Sequence, residues 1–346
     1  MKRLILSLIG IFSLSADAPI EQGRPLKIEQ IVGGISQSAR FEVRDGWSLG
    51  FSLYYNEYAA SEDSMEVAYT SNESFDPQGS VLTFDSDYQP GFGLGFLLNT
   101  PYDHWNIGGE YLWFQDKAHL SKEADSALLY TAPLFESGPF RTLINSLDSS
   151  WDLNINVGDL YLSRPYYSGR NLVLKPVMGL KTAFITQDFD LTAAISSLSE
   201  VSWTSQTAKT KSVSWGIGPR AGLDAKFLLG KGFSLFGDLS TSLLYTTFTK
   251  IHLDYASSIG QSAFASNNNA QIIQPIIDTG IGFSFGSYAL NKSFYVDFSA
   301  AYNFSVFFSQ NMSRSLVATV NTSSANQSPP ANLYLQGVSI GLAFIF

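Results

Sequence analysis

The sequence predicts an all-β protein, a transmembrane antiparallel up-and-down β-barrel of about ten strands. Three observations predict this fold. The chain ends on a strictly alternating strand, similar alternation recurs along residues 45–346, and the connections between the alternating stretches are long and short in turn. A period of two places successive side chains on opposite faces of a strand. Closing the sheet on itself removes the unpaired edges at which strands aggregate.

The final strand, residues 334–346, has the clearest pattern. One face carries large apolar side chains, interrupted only by Gln336, and the other carries smaller ones; the large face comprises Tyr334, Val338, Ile340, Leu342, Phe344 and Phe346. This ending resembles the signal by which the barrel assembly machinery recognises outer-membrane β-barrels. We therefore expect that machinery to contact Phe346, and we expect the protein to lie in the outer membrane of a Gram-negative bacterium.

The amino terminus predicts export. Lys2 and Arg3 precede an apolar run from Leu4 to Leu14, and small residues follow up to Ala18. This organisation is typical of a cleaved signal peptide, here residues 1–18, and the run is about half as long as a membrane-spanning helix. Residues 19–44 have no sustained period, which predicts a loose periplasmic segment before a barrel over residues 45–346.

Ten alternating stretches follow in chain order. They are expected to begin near Trp47, Phe92, Trp105, Trp151, Leu172, Val213, Phe233, Ile277, Phe294 and Tyr334. Long connections alternate with short ones, as in bacterial barrels with long extracellular loops and short periplasmic turns. Residues 65–70 and 80–85 could form one more hairpin, so eight and twelve strands remain as alternatives. Trp and Tyr tend to end the rows, which is typical of a membrane interface.

Composition excludes several classes of protein. The chain is 45% hydrophobic, yet after residue 18 it has no apolar run long enough to span a bilayer as a helix. Cysteine is absent, which excludes a disulfide scaffold. The net charge of -9 argues against nucleic-acid binding. No calcium-loop spacing is present, and we expect neither a metal site nor a cofactor.

Alternation assigns a set of charged side chains to the inward faces of the strands. The set is Glu110, Asp152, Lys175, Lys181, Arg220, Asp224, Lys226, Asp238, Asp278 and Asp297. On the lipid face a Lys or Arg would cost about 2–4 kcal/mol at mid-bilayer, so these groups are expected in the lumen. Those expected to line a pore and to shape its conductance are Lys175, Lys181, Arg220, Asp224, Lys226, Asp238, Asp278 and Asp297. Small inward residues such as Gly216 and Ser240 favour an open or gated pore over a plugged lumen, which is the alternative.

The chain also resembles a known family. The motifs are Trp151–Gly158 (WDLNINVG), Leu162–Pro165 (LSRP), Leu172–Lys181 (LVLKPVMGLK), Gln187-Asp188, Gly216–Gly222 (GIGPRAG) and the terminal Phe346. They are similar to motifs of the Legionella and chlamydia-type major outer-membrane protein family of pore-forming barrels. The resemblance implies a porin-like channel for small solutes and, in addition, a surface-exposed antigen. Some chlamydial members are cross-linked through cysteines, so the lack of cysteine here argues against a disulfide-linked envelope role.

The expected function is therefore passive diffusion of small hydrophilic solutes through an outer-membrane pore. The alternative is a non-conducting structural or adhesive surface barrel whose long loops, such as residues 310–331, bind host or envelope partners. An enzyme is not expected, because the His252 and Asp254 pair lacks a recognisable nucleophile motif. The expected partners are outer-membrane lipid, lipopolysaccharide, the assembly machinery and small solutes; no nucleic acid is expected, and oligomerisation is left open.

Overall fold

The computed structural model describes residues 48–63, 66–71, 79–84, 87–100, 105–124, 128–131, 143–168, 171–196, 204–258, 262–289, 294–312 and 330–346. The predicted signal peptide and periplasmic segment lie outside these residues. The described chain is almost entirely β-strand. It contains no helix that is long and apolar enough to cross a membrane.

Fifteen strands of the described chain form one sheet. The barrel strands are β1 (Ser48–Glu62), β4 (Gln89–Asn99), β5 (Asn106–Glu123), β7 (Leu143–Ser163), β9 (Leu172–Ile195), β10 (Ser205–Gly230), β11 (Phe233–Ser257), β13 (Ala270–Ala289), β14 (Phe294–Asn311) and β15 (Ala331–Ile345). The shorter strands are β2 (Glu66–Ser71), β3 (Gly79–Thr83), β6 (Leu128–Thr131), β8 (Tyr166–Ser168) and β12 (Ser262–Asn267).

The ten barrel strands form a closed antiparallel ring. Neighbours in the chain pair with each other, β7 pairs with β9, and β15 closes onto β1, with Phe344 opposite Phe51 and Ile340 opposite Tyr55. The backbone N–H of the terminal Phe346 donates to the carbonyl of Leu49 at 2.9 Å, so pairing continues to the last residue. The predicted ten-stranded antiparallel barrel is confirmed.

The additional hairpin indicated by the sequence forms but does not enter the ring. Strands β2 and β3 pair with each other, β2 also pairs with β6, and β6 pairs with the start of β7. These strands therefore extend the sheet above one side of the barrel. The ring keeps ten members, so the alternatives of eight and twelve strands are wrong.

The connections define the two ends of the barrel. At one end they are short, as in the turn from β10 to β11, where Gly230, Lys231 and Gly232 have φ angles of 99°, 51° and 86°. Such positive angles favour glycine. The connections at the opposite end are long. Bacterial barrels have short periplasmic turns and long extracellular loops, which identifies the ends as periplasmic and extracellular.

Large apolar side chains cover the outside of every barrel strand. One such residue from each strand, each between 42% and 62% exposed, is Leu53, Leu94, Tyr111, Leu160, Leu180, Ile217, Leu243, Ile281, Phe298 and Ile340. A soluble monomer rarely exposes so continuous an apolar surface. The belt therefore faces lipid, and a cross-strand row containing Trp113, Phe184 and Trp215 forms its extracellular border.

Several strands continue far beyond this aromatic row. Strands β7, β9, β10 and β11 have 21, 24, 26 and 25 residues, whereas a tilted strand needs about 9–11 to cross a bilayer. We call the extracellular parts of these strands and of β5 the extended wall (residues 115–123, 143–154, 186–195, 205–213 and 250–257). Much of the extended wall lies in regions where the sequence predicts loops.

The predicted faces of β7 are wrong in its extracellular half. Trp151, Leu153, Ile155 and Val157 were expected to face lipid, but they point inward and are between 0% and 5% exposed. Asp152, expected in the lumen, lies on the outside. Beyond the bilayer a barrel wall has water outside and packed side chains inside, so the apolar row there faces inward. Lower on the same strand, Leu160 and Leu162 face outward into lipid.

Candidate functional site

A cavity of about 570 Å³ lies inside the barrel. Its lining includes Asn99, Thr100 and Pro165 at the periplasmic rim and Tyr58 and Phe307 at mid-barrel. The cavity thus occupies the periplasmic half of the lumen. It is the best candidate in the described chain for a site that holds or conducts solutes.

All the side chains that the sequence assigns to a pore line this cavity: Lys175, Lys181, Arg220, Asp224, Lys226, Asp238, Asp278 and Asp297. Glu110 lines it as well, whereas Asp152 does not. Asp159 takes the place that the sequence analysis gave to Asp152. Alternation along β7 could have identified Asp159. If Leu160 and Leu162 face outward into lipid, Asp159 must face inward.

The pattern of β10 explains why charge concentrates there. Arg220, Asp224 and Lys226 occupy even positions, which face inward along the whole strand, while the apolar odd positions face lipid. Gly222, at an even position between two of them, lies against the backbone of β11, where a Cβ would contact Ser240 at 2.7 Å. The small residue allows close strand pairing and leaves room for the long charged side chains beside it.

The centre of the cavity holds a buried ionic cluster. Lys181 Nζ lies 3.0 Å from Asp159 Oδ2 and 3.3 Å from Asp278 Oδ2, and its side chain is only 4% exposed. Arg220 Nη1 lies 2.9 Å from the same Asp159 Oδ2. Arg220 Nε donates to Ser240 Oγ at 3.2 Å, and Ser305 Oγ donates to Asp278 Oδ1 at 2.8 Å. The cluster connects β7, β9, β10 and β13 across the lumen.

Two further ion pairs lie where the cavity is wetter. Lys175 Nζ is 2.8 Å from Asp224 Oδ2, with the side chains 29% and 36% exposed. Lys226 Nζ is 3.1 Å from Asp297 Oδ2, with the side chains 30% and 16% exposed. Water reaches these pairs, so their interaction is weaker than that of the central cluster.

Tyrosines complete the polar lining of the cavity. Tyr161 Oη donates to Glu110 Oε1 at 3.1 Å, and its ring centroid lies 6.0 Å from the Arg220 guanidinium. Asn303 Nδ2 donates to Tyr58 Oη at 2.9 Å. Neither tyrosine was predicted from the sequence, because a tyrosine also fits the lipid interface and its residue type alone does not identify the face on which it lies.

Acidic groups outnumber basic groups in the lining. The basic residues are Lys175, Lys181, Arg220 and Lys226, and the acidic ones are Glu110, Asp159, Asp224, Asp238, Asp278 and Asp297. Among the described residues, each base lies in an ion pair, whereas neither Glu110 nor Asp238 does. The cavity therefore carries a surplus of negative charge, which attracts cations.

An apolar layer separates this cavity from the extracellular end. We call it the apolar plug, and its most deeply buried members, between 0% and 2% exposed, are Phe114, Ile155, Ile185, Leu244, Ile276, Phe307 and Leu333. All belong to one contiguous cluster of buried side chains. The cavity thus ends at mid-barrel. The sequence predicted either a pore or a lumen plugged by charged groups, and an apolar closure was not predicted.

The same cluster continues into a cap on the extended wall. Val67, Ala68 and Leu129, from β2 and β6, are each 1% exposed and join it. Phe84, just after β3, stacks on Trp151 with the ring centroids 6.5 Å apart. Side chains from the extracellular hairpin therefore close the mouth of the barrel.

Glu62 binds two walls of the mouth to each other. Gln187 Nε2, on β9, donates to Glu62 Oε1 at 2.8 Å, and Asn311 Nδ2, on β14, donates to Glu62 Oε2 at 2.8 Å. Since β1 and β9 are not neighbours in the ring, the first contact crosses the lumen. The extracellular mouth is thus held narrow by polar contacts as well as apolar ones.

The His252 and Asp254 pair lies on the outer surface of β11. His252 Nε2 is 2.7 Å from Asp254 Oδ2, and the His252 ring packs edge-on against Phe264 at 4.7 Å. Both face away from the cavity. This location separates the pair from the polar lumen.

Several solved structures of outer-membrane proteins are similar to this chain. A major outer membrane protein from Thermus thermophilus is 12% identical, with a TM-score of 0.31, over 86% of this chain and 99% of its own. OprG from Pseudomonas aeruginosa is 11% identical, with a TM-score of 0.24, over 88% of this chain and 99% of its own. The toluene transporter TodX from Pseudomonas putida is 8% identical, with a TM-score of 0.28, over 88% of this chain and 90% of its own. Likeness at this level does not indicate the function of this chain.

A comparison with curated protein sequences finds no significant match. A family model described as Legionella pneumophila major outer membrane protein precursor matches residues 42–346. The match covers every strand of the closed barrel. The lipid-facing belt of the barrel and this family match together place the protein in the Gram-negative outer membrane, as a member of the Legionella pneumophila major outer membrane protein family.

Proposed function

We propose that the protein is a small gated pore through which hydrophilic solutes cross the outer membrane. The observation that carries the proposal is the cavity of about 570 Å³, lined by charged groups and open toward the periplasmic rim. A barrel that only needed a filled interior could use apolar side chains throughout, because buried ion pairs add little stability. A polar lining is the surface that hydrated solutes require.

The apolar plug is the gate in this proposal. Hydrophobic constrictions close channels by excluding water, and they open when the surrounding side chains separate enough to be wetted. A barrel of about eight strands can be filled by its own side chains, whereas 16–18 strands leave an aqueous channel, so a ten-stranded ring can be closed by a few large residues. Phe114 and Phe307 are the largest of these and are 0% and 2% exposed.

The negative surplus of the cavity indicates its preference. Glu110 and Asp238 have no basic partner among the described residues, and they lie in a lumen with a low-dielectric wall, which strengthens their field. Cations and neutral solutes are therefore the favoured cargo, with anions admitted less readily.

Single-channel recording in planar lipid bilayers tests the proposal. We expect wild type to give rare, brief steps and the Phe114→Ser/Phe307→Ser variant to give longer or more frequent ones. We expect Arg220→Glu/Lys226→Glu to increase the preference for cations. Lys209→Glu/Lys211→Glu makes the same charge change on the outer surface and is expected to alter that preference less.

The second candidate is a non-conducting surface barrel. The observation that favours it is the continuity of the buried cluster from the apolar plug into the cap, which closes the lumen over a long distance. Circular dichroism and heat-shifted gel mobility establish that a variant is folded. Silence from a folded Phe114→Ser/Phe307→Ser barrel would overturn the pore and favour the non-conducting function.

A further inference from the structure

The outer face of the extended wall carries two ordered rows of polar side chains, all of them ionisable except Ser150. Cross-strand pairing aligns one residue from each of β5, β7, β9, β10 and β11 in each row. The lower row is Lys117, Asp152, Asp188, Lys211 and His252. The upper row is His119, Ser150, Asp190, Lys209 and Asp254. Such rows cross five strands and form one continuous polar surface.

The height of these rows follows from strand geometry. At about 3.3 Å per residue and a tilt of about 40°, a step of two residues raises a row by about 5 Å. Lys250 is opposite Val213, one step above Trp215, and Lys211 is two steps above Trp215. Bilayer headgroups extend about 5–8 Å beyond the hydrocarbon of each leaflet. Lys250 therefore lies within the headgroup layer, and Lys211, about 10 Å above Trp215, lies just beyond it.

A register shift in β11 directs Lys250 outward. The pairing of β10 and β11 shifts between Val213 and Ser214, with Thr249 as the extra residue on β11. Residues below Thr249 face inward at even positions, as at Phe248, which is 0% exposed. Above it the odd residue Ile251 is buried, so Lys250 and His252 face outward. The shift brings these two residues of β11 beside Lys211.

The charges on this surface are available to a ligand. Lys211 contacts Asp188 at 2.7 Å, yet both side chains are 39% exposed, and Lys209 and Asp190 are 64% and 53% exposed. Exposed pairs of this kind contribute little and exchange partners readily. Lys250 is exposed and has no ion pair in the part of the chain that the structure describes. Anionic groups at headgroup height would thus meet at least one free ammonium.

The opposite side of the barrel differs. At the extracellular ends of β14 and β15 the outward residues are Phe304, Val306, Tyr334 and Gln336, none of which is charged. If charged side chains were needed only for solubility, they would be expected on all sides of the extracellular end of the barrel. Here the described basic side chains of the extracellular half lie on one wall, beside the membrane, whereas the exposed outward charge on β1 is the acidic Glu57.

We propose that the outer face of the extended wall binds lipopolysaccharide, with Lys250 and Lys211 contacting its phosphates. Lipopolysaccharide fills the outer leaflet and carries phosphates at the height of Lys250, and the long side chain of Lys211 can reach down to them. Lysine is a suitable phosphate ligand because its ammonium forms three hydrogen bonds and its stem can extend along the lipid surface. The acidic members of the rows hold the lysines in place when no lipid is bound. The proposal does not depend on the pore.

The test uses the full chain folded in detergent micelles, with purified lipopolysaccharide as the probe. Heat denaturation followed by gel mobility gives the midpoint of unfolding at each lipid concentration. We expect lipopolysaccharide to raise the midpoint of wild type. One surface lysine contributes about fivefold in binding, so the concentration for half of the effect should rise about fivefold in Lys250→Gln and about thirtyfold in Lys211→Gln/Lys250→Gln.

Three controls make the test specific. Lys231→Gln changes an exposed lysine in the periplasmic turn and should match wild type, and Lys250→Arg keeps the charge and should bind nearly as well. Inorganic phosphate at the same phosphate concentration should give no comparable shift. Equal half-effect concentrations for wild type and the double variant would overturn the proposal. So would an equal effect of inorganic phosphate, which would identify a site for free anions.

Discussion

Lys181 offers the strictest test of how the lumen is stabilised. Its ammonium lies between Asp159 and Asp278 and its side chain is 4% exposed. In Lys181→Met, Asp159 keeps Arg220 at 2.9 Å, but Asp278 keeps only the hydroxyls of Ser240 and Ser305. A carboxylate would then remain in the lumen without a base.

The expected loss follows from this geometry. Removing one partner of a buried pair costs about 3–5 kcal/mol. The adjacent cavity supplies some water to Asp278, whose side chain is 18% exposed, so we expect about 3 kcal/mol, the lower end of that range. Lys175→Met breaks a pair that is about one third exposed and should cost about 1 kcal/mol. Lys209→Met, on the outer surface, should cost less still.

Urea unfolding in lipid vesicles, followed by tryptophan fluorescence, measures these free energies. A second substitution separates charge from packing, because Lys181→Met/Asp278→Asn removes the carboxylate that the first change left without a base. We expect the double variant to recover part of the loss. The reasoning is refuted if Lys181→Met costs no more than Lys209→Met, or if the second substitution adds to the loss.

Three further predictions concern the backbone, assembly and the face of β7. Gly230→Ala and Gly232→Ala both place alanine at a positive φ, but only at Gly232 would the new Cβ meet a backbone oxygen, at 2.5 Å. Unfolding in urea should therefore show a larger loss of unfolding free energy for Gly232→Ala than for Gly230→Ala, by about 1 kcal/mol or more. Deleting Phe346 should lower the folded fraction in the outer membrane of cells while folding in detergent stays intact, as heat-shifted gel mobility would reveal; equal losses in both would contradict recognition by the assembly machinery. Since the chain has no cysteine, Asp152→Cys on folded protein should react rapidly with a water-soluble maleimide and Leu153→Cys slowly, and the reverse order would favour the face assignment expected from the sequence.

Much of the barrel could be predicted from the sequence because lipid imposes a simple rule. Within the bilayer every strand has an apolar outside, so alternation identifies the strand and its outward face together. The row from Phe233 to Tyr245 and the closing row up to Phe344 were predicted in this way, and their large side chains face lipid in the structure. The ring of ten strands then follows from the number of rows and from the alternation of long and short connections.

That rule fails where a strand leaves the bilayer. On β7 the apolar row lies inside at Trp151–Val157 and outside at Leu160 and Leu162, although the strand continues without a bulge between them. Within the bilayer the apolar side chains of β7 face outward into lipid, and above it they face inward into packed side chains. The apolar row therefore moves from one face of the strand to the other although the backbone pairing stays regular. A local pattern contains two apolar rows but does not state which one meets lipid, which is why Asp152 was placed in the lumen and Asp159 was missed.

Three of the cavity's ion pairs lie beyond any local pattern, because they join strands that are not neighbours. Lys181 on β9 and Asp278 on β13 are separated in the ring by β10 and β11, and Lys226 on β10 meets Asp297 on β14 across β11 and β13. Alternation can place a charge in the lumen, but the tilt and stagger of the strands decide which charges meet. The groups left without a base, Glu110 and Asp238, are therefore a property of the closed barrel. Because the other acids are neutralised by their partners, these two carboxylates supply the surplus negative charge of the cavity.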